Sequence, residues 1–430
     1  MHYIILKFIF KIKKRGFQII MERVFITGRG LITPLGDGLS ANEEALRSGR
    51  SGITNIQSMI DNKLPSTVGG LPNYTPDVSE VLDRKKLRFC PPVSVMAVAA
   101  AREAFAEAGI ALEDLPGMRI AIVGGIAGGS YLDLWENTFA YVQNDFRLRS
   151  VSPFVVPRIM PSSAASNISL AFGIKGESYD VSVACASGAM ATVIGARLIR
   201  SGEYDIVLAG GAEQVDWVNA LGFCACRALS TQYNDTPAKA SRPFDRNRDG
   251  FVMAGGAGFM VLESERSIKA RGARPISELS GWGANSNAVD MVVPDAASSA
   301  DVMRLALANA GLKPEDIGYI NTHGTSTPIG DKLELEAIRS AIGTHAAINS
   351  TKSQTGHMIG ATGSSEIIFT SMMLEKGFIS PTINLEDPDD EFGWADLVRE
   401  CRTGVEIKHA VSNSFAFGGS NAAVVVSKCD

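Results

Sequence analysis

From Arg23 to the C-terminus, short β-branched runs alternate with alanine-rich stretches of helical spacing, and no other feature constrains the chain as tightly. Strands recurring between helices are the signature of an α/β protein. The pattern predicts strands at 23–27, 120–123, 180–183, 206–209 and 259–262, then a second series at 276–280, 317–321, 347–350, 410–412 and 422–426. Helices are predicted at 94–108, 186–201, 299–310, 333–341 and 364–375, several stopping at a glycine: Gly109, Gly202, Gly311 and Gly377. Each series contains a strand running into a small-residue turn with a chemically useful side chain, DVSVACASG in the first and GYINTHGTSTPIGD in the second. Two similar halves are therefore expected, residues 21–271 and 272–430, with a seam near 271–275.

With 430 residues, 45% of them hydrophobic and 20% charged, the chain has enough apolar material for one large core or two fused ones, which excludes a fibrous or disordered protein. A net charge of -5 provides no overall footprint for nucleic acid. Six scattered cysteines fit reduced thiols and a cytoplasmic location, and Cys224 with Cys226 is too isolated a pair for zinc. Residues 1–20 read differently from the rest, mixing bulky apolar residues with Lys7, Lys11, Lys13, Lys14 and Arg15. The stretch is too short and interrupted to span a bilayer, and it has neither the charge order nor the cleavage site of a signal peptide. It is expected to be an extension ahead of Met21, outside the fold; the other reading is a basic amphipathic helix at a membrane surface.

A dinucleotide fingerprint fails, because Gly28 and Gly30 are followed by Thr33 and Pro34 where the third glycine belongs. The strongest local signal is YDVSVACASG, where a strand delivers Cys185 to the start of a helix. Such an elbow exposes the side chain beside unpaired N–H groups, and the helix dipole with those donors is expected to draw the thiol pKa from ~8.5 toward ~7. A buried structural cysteine is the competing reading. Two of the five histidines, His323 (in THG) and His357 (in TGH), stand beside Thr and Gly after predicted strands, which favours chemistry over packing. Lys352 precedes His357, and Glu366 follows at a helix start, either to orient Lys352 or to complement the helix dipole. The glycine-rich SNSFAFGGSNA turn offers backbone donors, so that the N–H groups of Phe417 and Cys185 would together form an oxyanion hole; an ordinary hairpin with two core phenylalanines is the alternative.

Together VACASG, NTHGTSTPIGD, TKSQTGHMIGATGSSE, SNSFAFGGSN and ALSTQYNDTPAKASRPFDRNRDGFVMAGGAG resemble, in order and spacing, the β-ketoacyl-acyl-carrier-protein synthases. The segments YNDTPAKASR and LDRKKLRF look closer to the synthase I branch than to synthase II. The resemblance implies a thiolase-like fold, two similar α/β halves in a five-layered αβαβα arrangement, usually a homodimer. It implies a decarboxylative Claisen condensation in fatty acid elongation, an acyltransferase activity. Cys185 would carry the acyl group, His323 and His357 would act on malonyl thioester, and Lys352 and Glu366 would support them. Thr325 and Thr327 match pantetheine-binding positions, Phe417 the gate, and Arg84, Lys85 and Arg88 the docking site for acyl-carrier protein. Asn321, Glu334, Glu366, Ser412 and Asn413 match a structural monovalent-cation site of some members. No cofactor is required; substrates ride on phosphopantetheine, and neither nucleic acid nor membrane insertion is implied.

Two departures from the pattern stand out: Ala416 where the family has Gly, and Ser420 for Thr. The extra methyl is expected to stiffen the gate and narrow the acyl range. Thiolase is disfavoured because its second cysteine is missing from the glycine loop. A non-catalytic chain-length factor is disfavoured because Cys185, His323 and His357 are all present. A ketosynthase of a specialised polyene or polyketide pathway would have the same chemical residues and stays open.

Overall fold

The computed structural model describes residues 22–72 and 76–429, so the expectations for residues 1–20 lie outside the described residues. The first strand series is β1 (Val24–Thr33), β2 (Ile120–Gly125), β3 (Ser178–Val181), β4 (Ile206–Glu213) and β5 (Gly256–Ser264). The helices α1 (Pro92–Glu107), α2 (Tyr131–Gln143), α3 (Ser187–Arg200) and α4 (Trp217–Ala225) are set among these strands. The second series is β6 (Ser277–Ser286), β7 (Ile317–Asn321), β8 (Ala347–Asn349), β9 (Asp396–Leu397), β10 (His409–Phe415) and β11 (Ser420–Lys428), with α5 (Ala296–Ala310), α6 (Pro328–Ala341) and α7 (Thr362–Lys376).

The two series pair in the same way. In the first, β1–β5 and β5–β4 are antiparallel, then β4–β2 and β2–β3 are parallel. In the second, β6–β11 and β11–β10 are antiparallel, then β10–β7 and β7–β8 are parallel, with β9 added alongside β8. The strands follow the order β9-β8-β7-β10-β11-β6-β1-β5-β4-β2-β3, but β1 meets β6 at only two register pairs, Phe25 with Glu278 and Ile26 with Ser277. The continuous sheet is thus two sheets joined at a narrow seam.

Alternation along the strands explains the layers, since successive side chains face opposite sides of a sheet. Ile120, Ile122, Leu208, Phe259 and Val261 face an outer core built on α1. Their neighbours Ala121, Val123, Val207, Ala209, Met260 and Leu262 face a central core with α3 and α7. In the second half Ile320, Ile348, Val411, Ala423 and Val425 face α5 and α6, while Tyr319, Ala347, Ala410, Val424 and Val426 join the central core. Helices outside, two sheets, and the α3–α7 layer between them make the five layers of the thiolase-like fold.

Several boundaries move from their expected places. The 180–183 strand stops at Val181, because the Val183 N–H turns to Ser187 Oγ (3.0 Å) and Ala184 adopts a left-handed φ of 48°. Strand β1 continues to Thr33, through the glycines that suggested a nucleotide loop; a Cβ at Gly28 or Gly30 would strike carbonyls of Ala104 or Ala100, so α1 lies directly on this strand. Gly109, Gly202, Gly311 and Gly377 do follow helices with φ between 64° and 73°. The helices α2 and α4 went unread, although Tyr131, Leu134, Trp135 and Phe139 have helical spacing, because none of α2's residues is buried.

One ion cluster ties strand to helix across layers. Arg29 of β1, 3% exposed, binds Glu107 of α1 at 2.7 Å and Glu375 of α7 at 2.8 Å. Replacing Arg29 with Met leaves two facing carboxylates without their cation, an arrangement costing about 2–4 kcal/mol. The expected outcome is a lower midpoint of denaturant unfolding, and an unchanged midpoint would refute the cluster's role.

Candidate active site

The chain ends of β3, β7, β8 and β10 converge on one pocket. After β3 the backbone passes through left-handed Ala184, and Ser187 Oγ both accepts from Val183 N–H and donates to Ala184 O (2.7 Å), fixing the turn that presents Cys185 at the start of α3. The residue as a whole is half-buried with its thiol turned inward, and the backbone N–H groups of Phe417 and of Cys185 itself face its sulfur. The two N–H groups from which an oxyanion hole was expected thus stand together at the sulfur.

The expected low thiol pKa is not observed. Burial dominates and pushes the Cys185 thiol up to about 12, against the opposing pull of Lys352 and the two N–H donors. A helix dipole stabilises a thiolate only where the sulfur keeps enough polar surroundings. Here the surrounding wall includes Phe223, Phe251, Phe415 and Phe417.

The second half contributes the imidazoles. The N–H groups of His323 and Gly324 donate to Glu334 at 2.8 and 2.7 Å, anchoring the turn after β7. The backbone of His357 is pinned in both directions, its N–H to Val252 O (2.7 Å) and its carbonyl accepting from Ala254 N–H (2.8 Å). The rings lie edge to face with centroids 5.3 Å apart. His357 Nδ1 pairs with Thr362 Oγ1 at 3.0 Å, while His357 Nε2 and His323 Nδ1 are buried with no partner among the described residues. Burial, reinforced by the Lys352 charge, holds both imidazoles well below the usual histidine range, so both are neutral.

Lys352 and Glu366, both 1% exposed in their side chains, form a two-pronged ion pair with Nζ 2.8 Å from each carboxylate oxygen. Glu366 also accepts from Thr351 Oγ1 (2.9 Å), which favours orientation of Lys352 over dipole compensation. Thr325 and Thr327 line the pocket with their hydroxyls 3.1 Å apart. Beyond β10, Ala416 is extended (φ -131°, ψ 153°) and comfortable as a non-glycine, whereas Gly418 (φ 81°) and Gly419 (φ 74°) use the left-handed region. Of the five suggested cation-site residues, Glu366 is engaged by Lys352. Asn321 and Ser412 are register partners, and Asn413 donates to Glu334 at 3.2 Å. The Asn321 amide, Ser412 Oγ and Asn413 Oδ1 are buried with no partner among the described residues. Arg84, Lys85 and Arg88 are exposed and do not line the pocket.

Three features escaped the sequence reading. Phe223 and Phe251 form an aromatic wall (centroids 5.3 Å apart), Phe251 also meeting His357 at 5.4 Å. Buried Glu213, at the end of β4, accepts N–H bonds from Ala127, Gly128, Gly129 and Gly360, and burial raises it to about 7. The segment Val292–Pro294 edges the pocket. None has a local motif; only β4 ending in an acid inside an apolar run hinted at Glu213.

The pocket has a volume of about 340 Å³, within the span of small-molecule sites. Two family models cover most of the chain: the β-ketoacyl synthase N-terminal domain matches residues 21–267 and the β-ketoacyl synthase C-terminal domain residues 276–386. The chain belongs to the β-ketoacyl synthase family. It is 40% identical to 3-oxoacyl-[acyl-carrier-protein] synthase 1 of Escherichia coli K12 over 410 residues, 95% of this chain and 99% of that one. It is 38% identical to 3-oxoacyl-[acyl-carrier-protein] synthase 2 of Vibrio harveyi over 417 residues, 95% and 99% of the two chains. A crystal structure of a β-ketoacyl synthase from Burkholderia phymatum STM815 superimposes with a TM-score of 0.90 at 34% identity, covering 95% of this chain and all of that one. Acyl transfer is the chemistry of this family, and the chain is an acyltransferase. Among the described residues no helix is long and apolar enough to cross a membrane.

The resting thiol sets a measurable pH dependence. Only thiolate alkylates, so with the pKa near 12 the iodoacetamide rate at Cys185 should rise about tenfold per pH unit from pH 7 to 10 without levelling. Lys352→Met, which removes the cation favouring thiolate, should slow alkylation at every pH. A plateau below pH 8 in the unmodified protein would contradict the buried, protonated state.

Proposed function

We propose that this pocket performs a decarboxylative Claisen condensation in fatty acid elongation, joining an acyl group on Cys185 to malonyl-acyl-carrier protein. The observation that carries the reading is the placement of one thiol, two backbone donors aimed at its sulfur, and two neutral imidazoles in a single apolar pocket.

In the first half-reaction Cys185 sulfur attacks the thioester carbonyl, and the negative oxygen rests between the N–H groups of Cys185 and Phe417. Collapse breaks the substrate's C–S bond; the departing phosphopantetheine sulfur takes the proton that the Cys185 thiol gives up. In the second, the bond between malonyl carbon and carboxylate breaks and carbon dioxide leaves. The electron pair moves to an enolate whose oxygen accepts hydrogen bonds from His323 and His357. Neutral imidazoles suit this step, being donors with no cation to hold the carboxylate back. The enolate carbon then attacks the acyl carbonyl, a C–C bond forms, and the Cys185 C–S bond breaks. The product is a 3-oxoacyl chain two carbons longer, and the Cys185 thiolate that leaves takes a proton from solvent to restore the thiol.

Lys352, held by Glu366, positions charge near the thiol; Thr325 and Thr327 take the amides of the pantetheine arm. Exposed Arg84, Lys85 and Arg88, free of ion pairs among the described residues, suit an acidic carrier protein. The orphaned oxygens of Asn321, Ser412 and Asn413 beside Glu334 fit a monovalent cation, which would neutralise buried carboxylate charge and stiffen the His323 turn. No cofactor enters these steps. We take residues 21–271 and 272–430 as the two halves, supported by their shared pairing order, and a homodimer as the assembly. The open edge of β3 and the exposed Leu134, Phe139 and Val142 of α2 favour such a partner. A cytoplasmic setting accords with the free thiols of Cys90, Cys185, Cys224, Cys226 and Cys401.

The direct test supplies acyl- and malonyl-acyl-carrier protein and measures carbon dioxide and the lengthened product. Cys185→Ser should lose condensation by more than about 10²-fold, and His357→Ala should reduce carbon dioxide release by a similar factor. Normal condensation by Cys185→Ser would sink the reading. The methyl of Ala416 restricts the gate's alternative conformations, so Ala416→Gly should broaden the acyl-length profile; a profile across short and long primers unchanged from that of the unmodified protein would refute this.

A further inference from the structure

We propose that Glu213 is a positioning residue for the decarboxylation step, locking the turn after His357 so that the Thr362 hydroxyl holds His357 Nδ1 and the ring proton stays on Nε2. This rests on the condensing reading above.

The turn is strained. Ile359, buried, has a φ of 43°, and it is the only β-branched residue at a left-handed φ among the described residues. A branched Cβ makes that conformation costly, so it persists only where surrounding contacts fix it. One bond closes the turn from within, Ala361 N–H to Met358 O at 2.8 Å. The Gly360 N–H goes instead to Glu213 Oε2 at 3.3 Å. The same oxygen accepts from Ala127 (2.9 Å) and Gly128 (3.3 Å), and Oε1 accepts from Gly129 (3.2 Å). This contact has no slack: a Cβ on Gly360 would stand 2.6 Å from Ala127 N and 2.9 Å from Glu213 Oε2. Glu213 itself is buried and has no ion pair among the described residues. A lone buried carboxylate is costly, and what it provides is a charged acceptor, roughly twice as strong as a neutral one.

The strained turn connects His357 to α7, whose first residue is Thr362. Thr362 Oγ1 lies 3.0 Å from His357 Nδ1. A neutral imidazole carries one proton, and the bond made by one nitrogen decides whether the other holds it. With the Thr362 hydroxyl donating to Nδ1, the proton belongs to Nε2, the buried nitrogen that has no partner among the described residues. That is the donor the enolate needs. The bonds to Val252 and Ala254 fix only the backbone of His357. The place of Thr362 beside the ring depends on the turn, and the turn on Glu213. Acyl transfer to Cys185 requires neither imidazole, because the thiol proton passes to the departing sulfur.

The test measures the two half-reactions separately. Acyl transfer is read as the mass the protein gains on mixing with acyl-acyl-carrier protein alone, and decarboxylation as the carbon dioxide released when the acyl-loaded protein meets malonyl-acyl-carrier protein. Glu213→Gln keeps the shape and removes the charge, and should slow carbon dioxide release about tenfold with acyl transfer little changed. Glu213→Asp, which keeps the charge but draws it back from Gly360, should lose in the same step and serves where the amide variant folds poorly. Thr362→Val should reproduce the loss, and the double variant Glu213→Gln/Thr362→Val should be no slower than the slower single one, since both act through one bond. In nitrogen NMR spectra of isotope-labelled histidine, with His357 assigned by the signals that His357→Ala lacks, Glu213→Gln and Thr362→Val should each raise the Nδ1–H population. Equal losses in both half-reactions, an unmoved His357 tautomer, or losses that multiply in the double variant overturn the proposal while leaving the condensing reading intact. An unmodified protein that releases no carbon dioxide overturns both.

Discussion

The meeting of α3 and α7 at their N-terminal turns is the contact on which the site depends. Gly188 lies so close to Gly360 and Ser364, and Gly363 so close to Ala189 and Ser414, that a Cβ on either glycine would force the helices apart. Through this contact the Cys185 turn from one half and the His357 turn from the other face a common pocket. Glu213 closes the same junction, bonding Ala127–Gly129 on one side and Gly360 on the other. Neither half alone contains a nucleophile with its imidazoles.

The geometry also decides charge. Closing apolar walls around the site favours the neutral form of every group lacking an opposite partner. The thiol is therefore raised and the imidazoles lowered. Lys352 with Glu366 is the exception, because each neutralises the other. Under the proposed function, a thiol held protonated in this way ties reactivity to the arrival of the thioester. In the proposed condensation the N–H groups of Cys185 and Phe417, which now face the sulfur, would serve the developing oxyanion.

Much of the fold was legible because burial writes itself into sequence. Sheets covered on both faces demand continuous β-branched runs, and the predicted strands at 120–123, 206–209 and 317–321 fall inside observed ones. Boundaries were legible only where a local signal marks them, as at Gly311 and Gly377; the end of β3 depends on Ser187 reaching back to Val183, four residues away. The helix α2 was missed because its apolar face is exposed and does not follow the core's periodicity.

Sequence alone determined the α/β class, the repeated strand series and the identities of Cys185, His323, His357 and Phe417, because each stands in a small-residue turn that local composition reveals. Tertiary structure decided what those groups are. The protonation of Cys185 and both histidines depends on how much polar surface neighbours leave them, and those neighbours (Phe223, Phe251, Lys352, Glu366) come from distant segments. The choice between the two readings of Glu366, decided by its ion pair with Lys352, and the bridge at Glu213 were beyond the sequence for the same reason: electric environment is a property of distance in space, which sequence spacing does not encode.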